Sequence, residues 1–407
     1  MANNPTGFKV TNPTTGWSCA DFDDLFVRKE CFLEGGLWMW GNTGPWIGDN
    51  TTIQRSSPVQ TVSGGTNWKQ LSLGRHHSAA IKTDGTLWLW GSNNCGSLGD
   101  NTLTDRSSPV QTISGGNNWK QVSANIGGYD ISGLTAAVKT DGTLWTWGRG
   151  SFGQLGIGST AAYRASPVQT ISGGNNWKQV SAGGLHVAAI KTDGTLWLWG
   201  YNGDGLLGNN ISLGCVVSPV QTISGGNNWK QISASIVATA AIKTDGTLWL
   251  WGRNSSAGAG LLGDNTIINR SSPVQTVSGG TNWKQLSDKS SFGTAAIKTD
   301  GTLWLWGGSV DGNLSFSGYR SSPVQVLTGG TNWRQVSVGY RNTSAIKTDG
   351  TLWIWGYNRF GNLGGITTCI GSFGGISSPV QTISGGTSWR QAASGCRQNG
   401  GIREGCW

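Results

Sequence analysis

The 407 residues include 67 glycines and 24 tryptophans, only 12% are charged, and the formal charge is +9. So much glycine calls for many tight turns and disfavours helix, no apolar run reaches the ~18 residues of a membrane helix, and MANNPTGFKV lacks the basic start and apolar stretch of a secretory signal. The basic residues recur once or twice per repeat, so they read as a solvated part of a frame; neither a nucleic-acid partner nor membrane insertion is expected.

Residues 1–35 stand outside any repeat and form an expected N-terminal leader, an attachment segment through which copies could associate as a homo-oligomer. Its Asp21, Asp23 and Asp24 lack the glycine and glutamate of a calcium loop and read as ordinary acidic surface or linker. Residues 36–407 are expected to form one repeat domain. The phrase SPVQTISGGNNWKQ and its variants place a tryptophan at 68, 119, 177, 229, 283, 333 and 389, in steps of 50 to 58 residues. Six copies of [IV]KTDGTLW precede WG, and GGLWMWG at 35–41 is a shorter seventh. Two tryptophans in each LWxWG and one in each W[KR]Q account for 21 of the 24.

Each unit reads as four short strands: WKQVSAG, xxAAIK, TLWLWG and SPVQTI, separated by Gly, Asn or Thr-Asp-Gly turns. In TLWLWG, alternation sends Trp88 and Trp90 to one face and Leu87 and Leu89 to the other. A sheet with two apolar faces must be covered on both, and a ring of like sheets does this by packing each blade between two neighbours. The Ala79-Ala80 pair suits the crowded inner strands. Asp84-Gly85 marks a hairpin, and Pro58 and Pro109, unable to donate to a ladder, mark the outermost strand.

The fold class is therefore all-β, a seven-bladed β-propeller of four-stranded antiparallel blades. The frame SAGGLHVAAIKTDGTLWLWG at 181–200 and WGRGSFGQLGIG at 147–158 resembles the regulator of chromosome condensation repeat, over roughly residues 36 to 403. As in propellers of that kind, terminal strands are expected to share one blade: Gly36–Gly41 and Ser57–Gln60 with WRQAASGCRQNGGIRE. That hairpin would bring Cys31 and Cys406 together, either as a disulfide or as two unpaired thiols. Ultraviolet-B-sensing members of the family carry Gly-Trp-Arg-His-Thr after the first strand. Here GRHHS, GGLHV and GYRNTS lack the tryptophan, and the loops that serve nucleotide exchange on the GTPase Ran have no evident counterpart.

No catalytic motif is present, no cofactor or metal site is expected, and the protein is expected not to be an enzyme. Seven cysteines show no CxxC spacing, His76, His77 and His186 are too few for a metal cluster, and His76 and His77 are expected to pack or to hydrogen-bond. The frame is nearly constant while the loops after the first and third strands vary, and loops on a rigid scaffold are where recognition usually resides. Candidate binding residues there are Asn93, Asn94, Tyr129, Phe152, Tyr201, Asn202, Asp204, Tyr319, Tyr357, Arg359 and Phe360. Low charge, polar loops and near-identical repeats suit a bacteriophage virion or tail-associated display protein, located on the virion, contacting other virion proteins and a host-surface glycan or protein. The alternatives are a cytoplasmic protein-interaction scaffold and a subunit of an extracellular assembly.

Overall fold

The computed structural model describes residues 35–404, apart from 64, 128–132, 173, 224–225, 256–259, 289–292, 310–311, 317, 329, 359–360, 366–374 and 383–385. The leader, Cys31 and Cys406 thus lie outside the described residues. Among those described, 28 strands form seven four-stranded antiparallel sheets. Blade one is typical: Trp68–Leu73, His77–Lys82, Leu87–Gly91 and Arg106–Gln111 lie side by side in chain order. Blades two to six begin at Trp119, Trp177, Trp229, Trp283 and Trp333. Blade seven is composite: Trp389–Ser394 and Gln398–Glu404 pair with Gly35–Gly41, which pairs with Arg55–Gln60. Its central seam runs in unbroken register from Gly35↔Glu404 to Gly41↔Gln398.

The first strands surround the axis, where Gln70, Gln121, Gln179 and Gln391 line a common cavity. The fourth strands form the rim, as their prolines require. Pro109 sits where the pairing slips between Leu89↔Val110 and Gly91↔Arg106, so its missing N–H leaves no gap in the ladder.

Alternation along the strands builds the interfaces. Ala79, Ile81, Leu87 and Leu89 of blade one pack on Trp119, Val122, Ala124, Ala137 and Trp147 of blade two. Equivalent clusters occur at all seven junctions. Ala80 joins the junction on the opposite face, so both alanines are confined between sheets. The two tryptophans of LWxWG differ in role, which alternation alone does not reveal. The second, such as Trp199, is 0% exposed, and its indole N–H donates to Gln154 O of the preceding blade at 2.9 Å. The first, such as Trp88, is half-buried and donates to Thr86 Oγ1 at 2.9 Å, tying it to its own hairpin. In that hairpin Gly85 N–H donates to Lys82 O at 3.0 Å, and φ of 81° puts Gly85 in the left-handed region. The loop is a three-residue turn closed by a left-handed glycine. A Cβ on Gly85 would also stand 2.1 Å from Asn117 O of the next crossover, so no other residue fits.

A second circle of contacts lies nearer the axis. Gln70 Nε2 donates to Val122 O at 3.1 Å while its Oε1 accepts from Val122 N–H at 3.0 Å, so one carboxamide clamps both backbone groups of the next blade. Gln121 does the same to Val180, and Gln335 to Ala392. Gln391 closes the circle onto Leu71, with bonds of 2.9 and 2.8 Å. Ser72, Ser123 and Ser181 add a parallel set, each accepting from a backbone N–H one blade further on. These side chains meet the backbone demand that a free sheet edge would otherwise leave at the axis.

The second strands hold buried polar anchors. His77 Nε2 lies 2.9 Å from Thr135 Oγ1, and His186 Nε2 lies 2.8 Å from Thr239 Oγ1, each across a junction. Blades six and seven carry Asn342 and Gln398 at this register. Burial pushes the His186 pKa down to about 3, so the ring is neutral in the folded chain.

Two measurements test this packing. Trp199→Ala should lower stability by about 3–5 kcal/mol, as deletion of a buried aromatic does; a thermal melt matching wild type would show that the tryptophan face is not confined between blades. Because the folded-state pKa of His186 lies below its ordinary 6.5, the unfolded chain binds a proton that the folded ring refuses. Its contribution is complete above pH 6.5 and is lost as the pH falls toward 3, by up to about 1.4 kcal/mol per pH unit. His186→Asn, borrowing the side chain of blade six, should remove that slope from the pH dependence of the urea midpoint.

Candidate functional site

In this antiparallel meander, loops after the first and third strands emerge at one end of the disc, and the hairpin and crossover at the other. The variable loops thus share one end.

The loops after the third strands are more ordered than their composition suggests. Asn93, 0% exposed, donates from Nδ2 to Asp100 Oδ1 and Thr102 O, both at 3.0 Å, and accepts from Leu98 N–H at 2.9 Å. Asn202 and Asn254 repeat this pattern in their own loops. Asn93 and Asn202 are therefore internal struts: their carboxamides satisfy loop backbone and have no surface to offer a partner. Gly156, with φ of 63°, sits against the next blade's tryptophan, where a Cβ would meet Trp199 Nε1 at 2.8 Å. Ion pairs stiffen the loops further, as in Arg106–Asp100 at 3.1 Å.

The remaining candidates have diverse surroundings. Asn94 is exposed and Tyr319 is half-exposed. Phe152 and Tyr201 meet edge-on at 5.7 Å across blades two and three. Asp204 pairs with Arg253 at 3.1 Å, joining blades three and four. Tyr357, only 7% exposed, lies beneath Arg341 and presents little surface of its own. Tyr129, Arg359 and Phe360 lie outside the described residues.

A concentration of recognition chemistry appears where blades six, seven and one meet. Arg341 lies 5.5 Å from the Tyr340 ring and 5.2 Å from Tyr357, and Arg75 lies 5.9 Å from the Tyr340 ring. Arg397, exposed, lies 5.6 Å from Trp46, which stacks on His76 at 5.9 Å. Arg75 is itself buried, donating to Gly127 O at 3.2 Å. Burial pushes the half-buried Cys396 thiol pKa up, while Arg75, Arg397 and Arg341 act against it. Apart from Tyr357, a candidate binding residue, and His76, expected to pack or hydrogen-bond, these residues were not singled out from sequence. The signal was present in the loop after the first strand, where GRH, GYR and GCR at 74–76, 339–341 and 395–397 contrast with GGL at 183–185. Blades six and seven, consecutive in the chain, and blade one, at the other end of it, carry the cationic version, and blade one joins the other two only when the ring closes.

Comparison with known proteins agrees with the repeat and the seven-bladed ring. The regulator of chromosome condensation (RCC1) repeat matches residues 84–129 and 141–190, and a second description of the same repeat matches 68–97, 177–206 and 333–362. The Ultraviolet-B receptor UVR8 of Arabidopsis thaliana is 30% identical over 320 residues, spanning 76% of this chain and 67% of the receptor. The mitochondrial RCC1 domain-containing protein RUG3 of the same plant is 28% identical over 313 residues, 70% of this chain and 64% of that protein. Among solved structures, Prp20p from Saccharomyces cerevisiae superposes with a TM-score of 0.76 at 15% identity, covering 92% of this chain and 94% of Prp20p. Human WBSCR16 gives 0.76 at 17% identity, covering 91% and 99%. Repeat spacing, a receptor alike over two thirds of its length and the seven-bladed ring together place the chain in the regulator of chromosome condensation (RCC1) repeat family.

Proposed function

We propose that this chain is a non-enzymatic protein-interaction propeller whose partner docks on the variable end, centred on the arginine–aromatic patch of blades six, seven and one. The observation that carries this reading is the clustering of Arg341, Tyr340, Arg397 and His76 with the buried Trp46 in one sector of the variable end. Arginine, tyrosine and tryptophan dominate the energetics of protein interfaces because each offers large contact area with a polar handle. The patch is cationic, so the matching partner surface carries carboxylates set among apolar side chains.

The histidines support a binding role over a catalytic one: His77 and His186 are buried on threonines, and His76 is stacked on Trp46. The relatives found favour the interaction scaffold over virion display. They include a receptor, and a structural neighbour studied for its binding to Gsp1p and histones. The virion reading rests on low charge, polar loops and near-identical repeats, which suit an interaction scaffold equally well.

Affinity capture from the source organism's lysate tests the proposal, comparing wild type with Arg341→Ala/Arg397→Ala and with a graft of loop 201–217 into position 92–106. The double variant should weaken capture of specific partners by roughly 30-fold or more, the loss expected of an interface centre. The graft adjoins the patch, since Ser92 N–H donates to His76 O at 2.7 Å, but it keeps Arg341 and Arg397 and should weaken capture less. Capture indifferent to both changes but abolished by Lys69→Glu, Lys178→Glu and Lys230→Glu would move the function to the opposite end.

A further inference from the structure

The end opposite the variable loops holds most of the chain's charge. Every first strand begins W[KR]Q, and every second strand pairs that tryptophan with a lysine or, in blade seven, with Arg403. These fourteen cations face seven carboxylates, six in the Thr-Asp-Gly turns and Glu404, leaving a surplus of seven within a total of +9.

The fourteen form two rings of different character. The outer ring is structural. Lys82 Nζ sits between two indoles, 4.9 Å from the Trp68 centroid and 4.7 Å from Trp88, and Lys139 and Lys191 repeat the arrangement. Each has a turn aspartate nearby. Hydrogen bonds from the Thr143 hydroxyl and amide hold the Asp141 carboxyl below the ordinary carboxylate range, with Lys139 acting in the same direction. Outer-ring charge is thereby partly matched on site.

The inner ring consists of Lys69, Lys120, Lys178, Lys230, Lys284, Arg334 and Arg390. Its five lysines are exposed, and among the described residues none lies within 4 Å of a carboxylate. The two arginines show how the ring lies. Arg334 Nη2 donates to Trp389 O at 2.7 Å and Arg390 Nη2 to Lys69 O at 2.7 Å, each guanidinium running along the axial mouth onto the next blade. Arg390 is held below its ordinary pKa by burial, with Arg334 pressing the same way and Glu404 opposing. Inward of the ring, the glutamine circle bounds a polar cavity of about 90 Å³. The acid at that cavity, Asp288, lies beyond the far end of its strand, toward the variable loops.

Seven cations on a closed circle repel one another, and a multivalent anion on the axis meets all of them at once. A linear polyanion would engage only an arc. We propose that the inner ring is a binding site for a compact anion bearing several phosphate groups, held on the propeller axis at the end opposite the variable loops. Phosphate fits because each group concentrates up to two negative charges and several acceptor oxygens, suited to lysine as a point charge and arginine as a fork.

Inositol hexakisphosphate and inorganic tripolyphosphate are the probes, with citrate and orthophosphate as low-charge controls, in calorimetry and thermal shift at low salt. One probe should bind per chain, raise the melting temperature, and weaken steeply as salt increases. Lys178→Gln/Lys230→Gln should weaken binding at least tenfold, equivalent to about 1.4 kcal/mol. Arg164→Gln/Arg320→Gln, removing the same charge from the other end, should leave it unchanged. A melting temperature like wild type without ligand would show that the lysine pair acts on binding alone. The proposal is overturned if neither probe binds, if both double variants weaken binding equally, or if duplex DNA binds and the hexakisphosphate fails to displace it. It stands independently of the partner surface at the variable end.

Discussion

Each blade buries its leucine face under the tryptophan face of the next, and the remaining features of the ring are arranged around that contact. A fully buried tryptophan removes roughly 150–250 Å² of mostly apolar surface from water. Among the described residues its indole N–H is left without an acceptor in most first strands, as at Trp68, Trp119 and Trp177, but reaches across the junction from several third strands. Trp147 and Trp199 find an acceptor in Ser97 O and Gln154 O, carbonyls of the preceding blade's third-strand loop. The same side chain thus packs the sheets and fixes the base of a variable loop. Glycine in those loops follows as a consequence, since Gly156 must let its backbone approach the indole.

Architecture was legible in the sequence because it is written in short-range rules. Period-two alternation in LWLW, Asp-Gly turns and proline on the rim each specify local geometry, and seven repetitions make the ring. The composite blade was legible for the same reason: half a repeat stands at each end. Three features were not legible. Asn93 and Asn202 read as exposed loop residues, but a loop that tucks its backbone under a neighbouring blade requires internal donors and acceptors, and a carboxamide supplies both. The glutamines of W[KR]Q looked like ordinary polar punctuation, although their recurrence in all seven blades was visible. Arg341 and Arg397 stand one repeat apart, but their meeting with Arg75 and His76 of blade one depends on closure.

The two ends of the disc divide along the same line. At the hairpin end, chemistry repeats with the frame, so any property there is shared by all blades and centred on the axis. At the loop end, blades differ, so properties belong to sectors. A symmetric ring suits a ligand that is alike in all directions, and a sector suits a partner with a front and a back. Neither needs the other, since both rest on the same stiff sheets.

The seam of blade seven also imposes an order in time. Gly35–Gly41 leaves the ribosome long before its partner strand, Gln398–Glu404. Until then Leu37 and Met39 have no sheet to complete, and the face of blade one carrying Trp68 and Leu71 has no neighbour to cover it. Entropy disfavours joining ends so far apart, although the penalty grows only logarithmically with chain length. Through most of synthesis the nascent chain is therefore an open arc with one apolar face at each end, able to pair with another arc as readily as with itself. Closure is a race between the chain's own last strands and those of its neighbours.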